Sequence, residues 1–227
     1  DAPLIAASAR PGQFVMLRQP RNPKDKNAID ESTDTYDTIE WLLKNVSNNN
    51  GRVGIAGTSY GAWLAVMAML DPHPALKAVV QQASPADMWI GDDFHHHGAL
   101  YLAHFFDFSY VFGQPREGLT KKWLEKLDHG TPDGYEFFKQ LIPLSQVNER
   151  YYKNRIAFWN EMVAHPDYDA FWKARSLPQH LKNIKPAVMT VGGWFDAEDC
   201  YGALHTYAAT EAQSPGASNI LVMGPWF

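Results

Sequence analysis

Between Arg52 and Leu70 the chain sets the run Arg52-Val53-Gly54-Ile55-Ala56-Gly57 directly before Thr58-Ser59-Tyr60-Gly61-Ala62 and an apolar, small-residue stretch. The first run has the length and composition of a buried strand, the second those of a buried helix, and Gly57-Thr58-Ser59-Tyr60-Gly61 joins them as G-x-S-x-G. A strand that turns into a helix this abruptly strains the serine backbone. It also packs the chain so closely on both sides that no Cβ fits at the glycines. Ser59 Oγ is then expected to project at a helix N-terminus. There the partial positive charge and backbone N–H groups favour an oxyanion, and the Tyr60 N–H is one expected donor. The alternative for the same residues is a Gly/Ser turn in a Rossmann-like unit.

The flanks decide in favour of an α/β sheet. Asp34–Val46 carries Tyr36, Ile39, Trp41, Leu42, Leu43 and Val46 at mostly helical spacing, after a polar loop over Asn22–Asp34. Leu76–Gln82 reads as a strand, so strands and helices alternate. From Asp87 to His180 aromatic residues accumulate. Helical groupings there fall at Leu100–Phe112, Leu119–Leu127, Tyr135–Leu141, Tyr151–Val163 and Tyr168–Arg175, and this stretch reads as an inserted helical cap. Strand Ala187–Val191, helix Glu198–Thr210 and strand Asn219–Met223 then resume the α/β pattern. The expected organisation is core residues 1–86, cap 87–180 and core 181–227. With 227 residues, 45% of them hydrophobic, the chain can bury one sizeable core plus a cap, which excludes disorder.

A serine nucleophile needs a base and a residue to orient it, which in this fold follow in the order Ser, Asp or Glu, His after later strands. The strand Ala187–Val191 runs into Gly192-Gly193-Trp194-Phe195-Asp196, which makes Asp196 the candidate acid. Of nine histidines only His205 follows it, and it lies within a helix, where a packed or surface imidazole is expected. The base is expected in the loop after Asn219–Met223. The chain stops there at Phe227, and the expectation is of a fragment cut just before its base.

These residues resemble the α-amino acid ester hydrolases, within the wider group of cocaine-esterase-like hydrolases and X-prolyl dipeptidyl peptidases. The similarity runs from about Phe14 to the end. It rests on Thr33-Asp34-Thr35-Tyr36-Asp37-Thr38-Ile39-Glu40-Trp41-Leu42, Gly57-Thr58-Ser59-Tyr60, Asp71-Pro72-His73-Pro74-Ala75-Leu76-Lys77, Gly91-Asp92-Asp93, Gly192-Gly193-Trp194-Phe195-Asp196-Ala197-Glu198-Asp199 and Met223-Gly224-Pro225-Trp226. The resemblance implies an α/β-hydrolase fold with Ser59 as nucleophile, Asp196 as triad acid, and a histidine as the first residue beyond Phe227. It implies Tyr60 as an oxyanion donor through its backbone N–H, with a second, tyrosine donor upstream of Asp1. It implies that Asp93, Glu198 and Asp199 form a carboxylate cluster holding a substrate ammonium. Three neighbouring carboxylates repel unless a cation sits among them, so such a cluster selects a free α-amino group. For each acid the alternative is a residue complementing the dipole of the helix Glu198–Thr210.

The chain departs from the family at Asp1–Gln13, and at Gly61-Ala62 where the esterases of the group often have Glu-Gly. The family's first strands and C-terminal jelly roll are expected to be absent, and a protein of only these residues is expected to be inactive or unfolded. The implied activity is that of a serine esterase and acyl transferase acting on α-amino acyl esters and amides, α-amino β-lactam antibiotics among them. The alternatives are a cocaine-esterase-like carboxylesterase, an X-Pro dipeptidyl peptidase, or a non-catalytic α/β-hydrolase-fold binding protein.

Other partners are expected to be absent. A formal charge of -5 without a basic run speaks against nucleic acid, and no run of 18 apolar residues speaks for a membrane span. Asp1-Ala2-Pro3 opens no signal peptide, and the single Cys200, read as a packed thiol, allows no internal disulfide. Periplasmic or secreted localisation is implied by the resemblance alone, and homo-oligomerisation is left open. No cofactor is expected. His95-His96-His97 with Asp92 and Asp93 offers donors enough for zinc, but adjacent side chains diverge and no H-E-x-x-H pattern accompanies them, so no metal site is expected. Asp92 is read as a neighbour that helps hold Asp93. Trp89, Phe94, Tyr101, Phe105, Phe106 and Phe112 are read mainly as cap core, a few of them as lining for an acyl pocket.

Overall fold

The computed structural model describes residues 30–115, 125–141 and 143–227. In chain order they form helix α1 (Asp30–Asn45), strand β1 (Val53–Thr58), helix α2 (Tyr60–Met67), strands β2 (Leu76–Gln82), β3 (His95–His96) and β4 (Ala99–Leu100), helices α3 (Leu102–Phe112), α4 (Gly134–Lys139), α5 (Ala157–Val163) and α6 (Ala170–Arg175), strand β5 (Ala187–Gly193), helix α7 (Cys200–Gln213) and strand β6 (Asn219–Gly224). The chain divides into two compact units. One runs to Ala86 and resumes at Leu177, and the other is Asp87–Ser176.

The first unit is built on a parallel four-stranded sheet in the order β1-β2-β5-β6. Parallel strands need crossover connections, which α2 and α7 provide between β1 and β2 and between β5 and β6. Side chains alternate across the sheet. Ile55, Val79 and Val188 are register partners on one face, and Gly57, Gln81, Thr190 and Leu221 form the next row on that face. Val79 and Val188 are buried there with Ile39 of α1, Ala65, Val66 and Met67 of α2, and Leu177, Leu181 and Ile184. Gln81 and Thr190 are fully buried, and Gln81 Nε2–H donates to Thr190 Oγ1 at 2.5 Å, while Gln81 Oε1 has no hydrogen-bond partner among the described residues. The opposite face carries Ala56, Val80, Met189 and Ile220 in register, with Ile220 54% exposed.

Helix α1 begins at Asp30, four residues before the expected start at Asp34, and ends at Asn45. His73 pins it to the sheet. His73 Nδ1 accepts the Ala75 N–H at 3.0 Å, which puts the ring proton on Nε2, and Nε2–H donates to Glu40 Oε1 at 2.7 Å. Helix α2 ends at Met67, short of Leu70, and α7 starts at Cys200 and continues to Gln213. Leu177 to His180, expected in the cap, belong to the first unit: Leu177 N–H donates to Ala86 O at 2.9 Å, and Leu177 and Leu181 are buried in its core.

The second unit is aromatic throughout. Phe94, Phe105, Phe106, Phe137, Tyr152, Trp159 and Trp172 are buried together. Trp159 stacks on Phe105 at 5.1 Å and meets Tyr152 edge-on at 5.1 Å, and Tyr152 OH donates to Phe106 O at 2.5 Å. Burial raises the Tyr152 hydroxyl pKa, with the Asp107 charge adding to it, so this phenol stays a donor. Tyr101 and Phe112, expected in this core, are 37% and 48% exposed instead, because they sit just before and at the end of α3 and turn outward.

Two features escape the helical reading. The expected helix Tyr151–Val163 is interrupted, since Lys153 and Asn154 both take positive φ between a π-helical turn and α5. The hairpin β3–β4 turns through His97 (φ 52°) and Gly98 (φ 81°), the left-handed pair that a two-residue turn requires. The grouping Leu119–Leu127 lies largely outside the described residues, and Glu125 to Leu127 are not helical. Among the described residues no helix is long and apolar enough to cross a membrane. Trp159→Ala is expected to lower stability by about 3–5 kcal/mol, since the site is filled by rings that cannot collapse into the space. Denaturant unfolding of the intact protein measures this.

Candidate active site

Ser59 stands between the last residue of β1 and the first of α2, with φ 56° and ψ −128°. The strain comes from the junction. Ser59 N–H still donates to Gln82 O of the neighbouring strand at 2.9 Å, while Ser59 O already accepts from Ala62 and Trp63 N–H at 2.8 and 3.0 Å. One residue therefore ends the sheet ladder and opens the helix. Gly57 permits the turn: a Cβ there would collide with the Gly61 carbonyl and lie 2.8 Å from the Ala62 nitrogen. The Ser59 side chain is exposed and makes no capping hydrogen bond. Tyr60 is the first helical residue, and first-turn N–H groups have no acceptor within their own helix. The residue is 43% exposed, and its ring stacks at 5.9 Å on Trp63.

Asp196 lies three residues beyond β5, on the same carboxyl edge of the sheet as Ser59 and two strands away. Two strand spacings are about 10 Å, a gap that one imidazole with its hydrogen bonds can span. Asp196 Oδ1 accepts the N–H groups of Glu198 and Asp199 at 2.9 and 2.8 Å. That oxygen holds the loop. The loop is also tied to the strand beside it, since Trp194 N–H donates to Gly224 O at 2.9 Å and Phe195 N–H to Trp226 O at 3.3 Å. Gly193 makes room for this: a Cβ there would collide with the Trp226 carbonyl. The segment after β6 is thereby laid alongside the acid loop.

The three candidate ammonium-binding carboxylates fall in different units. Glu198, half-buried, and Asp199, 2% exposed, occupy the turn that opens α7. Asp93 belongs to the second unit, in the loop ahead of the hairpin. Asp92 holds that loop: it is fully buried, and its Oδ2 accepts the Asp87 N–H at 2.7 Å. Asp87 Oδ1 in turn accepts from Trp89 and Ile90 N–H, and its Oδ2 from the Tyr168 hydroxyl. Asp93 Oδ1 receives Nε2–H of His104 at 3.3 Å. No sequence motif marks His104, which reads as one more polar residue in an aromatic helix.

His95, His96, His97 and His205 make packing or backbone contacts. His95 lies between Trp89 and Trp172, with ring centroids at 4.5 and 5.0 Å, and burial lowers its pKa, so a neutral ring donates Nδ1–H to Met88 O at 3.2 Å. His96 packs on Tyr101 and His97 forms the hairpin turn. His205 is exposed on α7, stacked on Tyr201 at 3.5 Å and donating to Tyr201 O. Cys200 is partly buried at the start of α7 and takes part in no disulfide.

Comparisons with known proteins agree with this architecture. The family model described as X-Pro dipeptidyl-peptidase (S15 family) matches residues 12–227. A cocaine esterase of Rhodococcus sp. (strain MB1 Bresler) is 25% identical over 209 residues, which cover 87% of this chain and 34% of that protein. The crystal structure of an aminopeptidase from the marine sediment archaeon Thaumarchaeota archaeon is similar with a TM-score of 0.80 and 35% identity, over 94% of this chain and 34% of that one. A selenomethionine-labelled α-amino acid ester hydrolase is similar with a TM-score of 0.77 and 36% identity, again over 94% and 34%. The chain spans about a third of the length of these relatives. With its parallel sheet of α/β-hydrolase type, the chain belongs to the X-Pro dipeptidyl-peptidase (S15) family, a hydrolase family of esterases and peptidases.

Proposed function

We propose that this chain carries the nucleophile and acid of a serine hydrolase that cleaves or transfers α-amino acyl groups from esters and amides. The observation that carries the reading is Ser59, exposed and held at φ 56° between β1 and α2, on the same sheet edge as Asp196. Ser59 Oγ attacks the acyl carbonyl while an imidazole takes its proton, and the Tyr60 N–H donates to the oxyanion. The C–O or C–N bond to the leaving group then breaks, and the imidazolium returns the proton to that group. Water or an amine repeats the sequence on the acyl-enzyme. An imidazole is the base such a serine requires, and Asp196 is the carboxylate that would orient it.

The preference for a free α-ammonium rests on Asp93, Glu198 and Asp199, and on similarity to proteins whose names specify α-amino acid esters and aminopeptidase activity. An N-acetylated substrate lacks the cation those carboxylates need. The intact protein is therefore expected to favour an α-amino acid methyl ester over its N-acetyl counterpart by about 10²-fold or more in kcat/KM. Asp93→Asn, Glu198→Gln and Asp199→Asn are each expected to erode that ratio at least about tenfold. Equal rates on both esters in the parent protein would favour a plain carboxylesterase of cocaine-esterase type, and turnover confined to X-Pro anilides would favour a dipeptidyl peptidase. Failure of a fluorophosphonate to label the protein would leave a non-catalytic binding role.

A further inference from the structure

Asp92 and Asp93 are adjacent carboxylates with opposite partners. The fully buried Asp92 is bound by a backbone N–H, as described above, whereas the Asp93 side chain, 10% exposed, is met by an imidazole. His104 donates Nε2–H to Asp93 Oδ1 at 3.3 Å from the first turn of α3. Its ring is not free to swing away. Tyr101 stacks on it at 5.4 Å, and Phe108, one helical turn further on, lies tilted at 6.0 Å. A carboxylate this buried costs free energy unless a donor satisfies it before substrate arrives. The choice of donor then matters. An imidazole N–H satisfies one carboxylate oxygen, Oδ1, and leaves Oδ2 for an incoming cation.

We propose that His104 is a specificity-determining positioning residue: by holding Asp93 Oδ1 it fixes the orientation in which that carboxylate meets the substrate's α-ammonium. The proposal rests on the reading of Asp93 as part of the ammonium site. His104 touches the carboxylate and acts through it, and it takes no part in the acyl transfer at Ser59.

Four variants of the intact protein test this, each assayed on a free α-amino ester and on its N-acetyl counterpart, with thermal unfolding as a check on folding. His104→Leu removes the donor at similar volume and is expected to raise KM for the free-amine ester about tenfold, with kcat changed by less than about threefold. The N-acetyl ester is expected to be unaffected. His104→Gln, which can place an amide N–H near the position of Nε2, is expected to restore most of the lost affinity. Asp93→Asn is expected to raise the same KM, and adding His104→Leu to it should raise it no further, the signature of two residues acting as one unit. Unchanged KM values in both His104 variants, with Asp93→Asn impaired, would overturn the proposal and leave the ammonium site standing. Equal losses on both esters would reduce His104 to a structural role. An unaffected Asp93→Asn would remove the ammonium reading itself, and the proposal with it.

Discussion

Ser59→Ala is expected to reduce kcat/KM of the intact protein on the order of 10⁵-fold or more, the scale seen when a triad serine is removed. Stability is expected to stay within about 0.5 kcal/mol of the parent, because the lost hydroxyl is exposed and caps nothing. The backbone requirement is met equally by either residue, since Ala tolerates φ 56° no worse than Ser. Loss of turnover together with loss of fluorophosphonate labelling, at an unchanged melting temperature, is the expected pattern. A Ser59→Ala protein that still hydrolyses esters would exclude the elbow as the reacting centre.

The second large effect is expected at Asp196. Asparagine keeps an oxygen in the place of Oδ1, so the hydrogen bonds from Glu198 and Asp199 N–H survive and the loop keeps its form. What changes is the other end of the side chain, where an NH₂ replaces a charged acceptor. An imidazole beside it is then held in the wrong tautomer and its protonated form loses its counter-charge. Asp196→Asn is therefore expected to lower kcat on the order of 10³–10⁴-fold with the fold intact, as for other triad acids. Steady-state kinetics alongside thermal unfolding decides the matter. Retention of a tenth or more of the activity would shift the acid role to a neighbouring carboxylate.

These two residues differ in how far the sequence reveals them. Ser59 is legible because an elbow is a local event: Gly57, Thr58, Ser59, Tyr60 and Gly61 are adjacent, and the strand before them and helix after them have their own periodicities. The structure moves that strand's boundaries by a single residue at either end, to Val53 and Thr58. Asp196 is legible at one remove, as the acid after a strand, and β5 proves two residues longer than its apolar run because Gly192 and Gly193 continue the pairing with Met223 and Gly224. Where backbone conformation departs from the period of the side chains, the reading fails. The left-handed residues His97, Lys153 and Asn154 produce a hairpin and a helix break that no run of apolar positions announces.

The sequence by itself determined the main strands and helices of a parallel-sheet α/β protein, with a serine at a strained strand-to-helix turn and an aromatic insertion. Those features depend on neighbours a few positions apart, whose sterics and periodicity act whatever the rest of the chain does. Only the tertiary structure decided the order β1-β2-β5-β6, the bonded pair of Gln81 and Thr190 across it, and the meeting of Asp93 with His104. Each of these depends on which distant backbone supplies a hydrogen-bonding or packing partner. That choice is made by the free energy of the packed whole, and no single segment contains it.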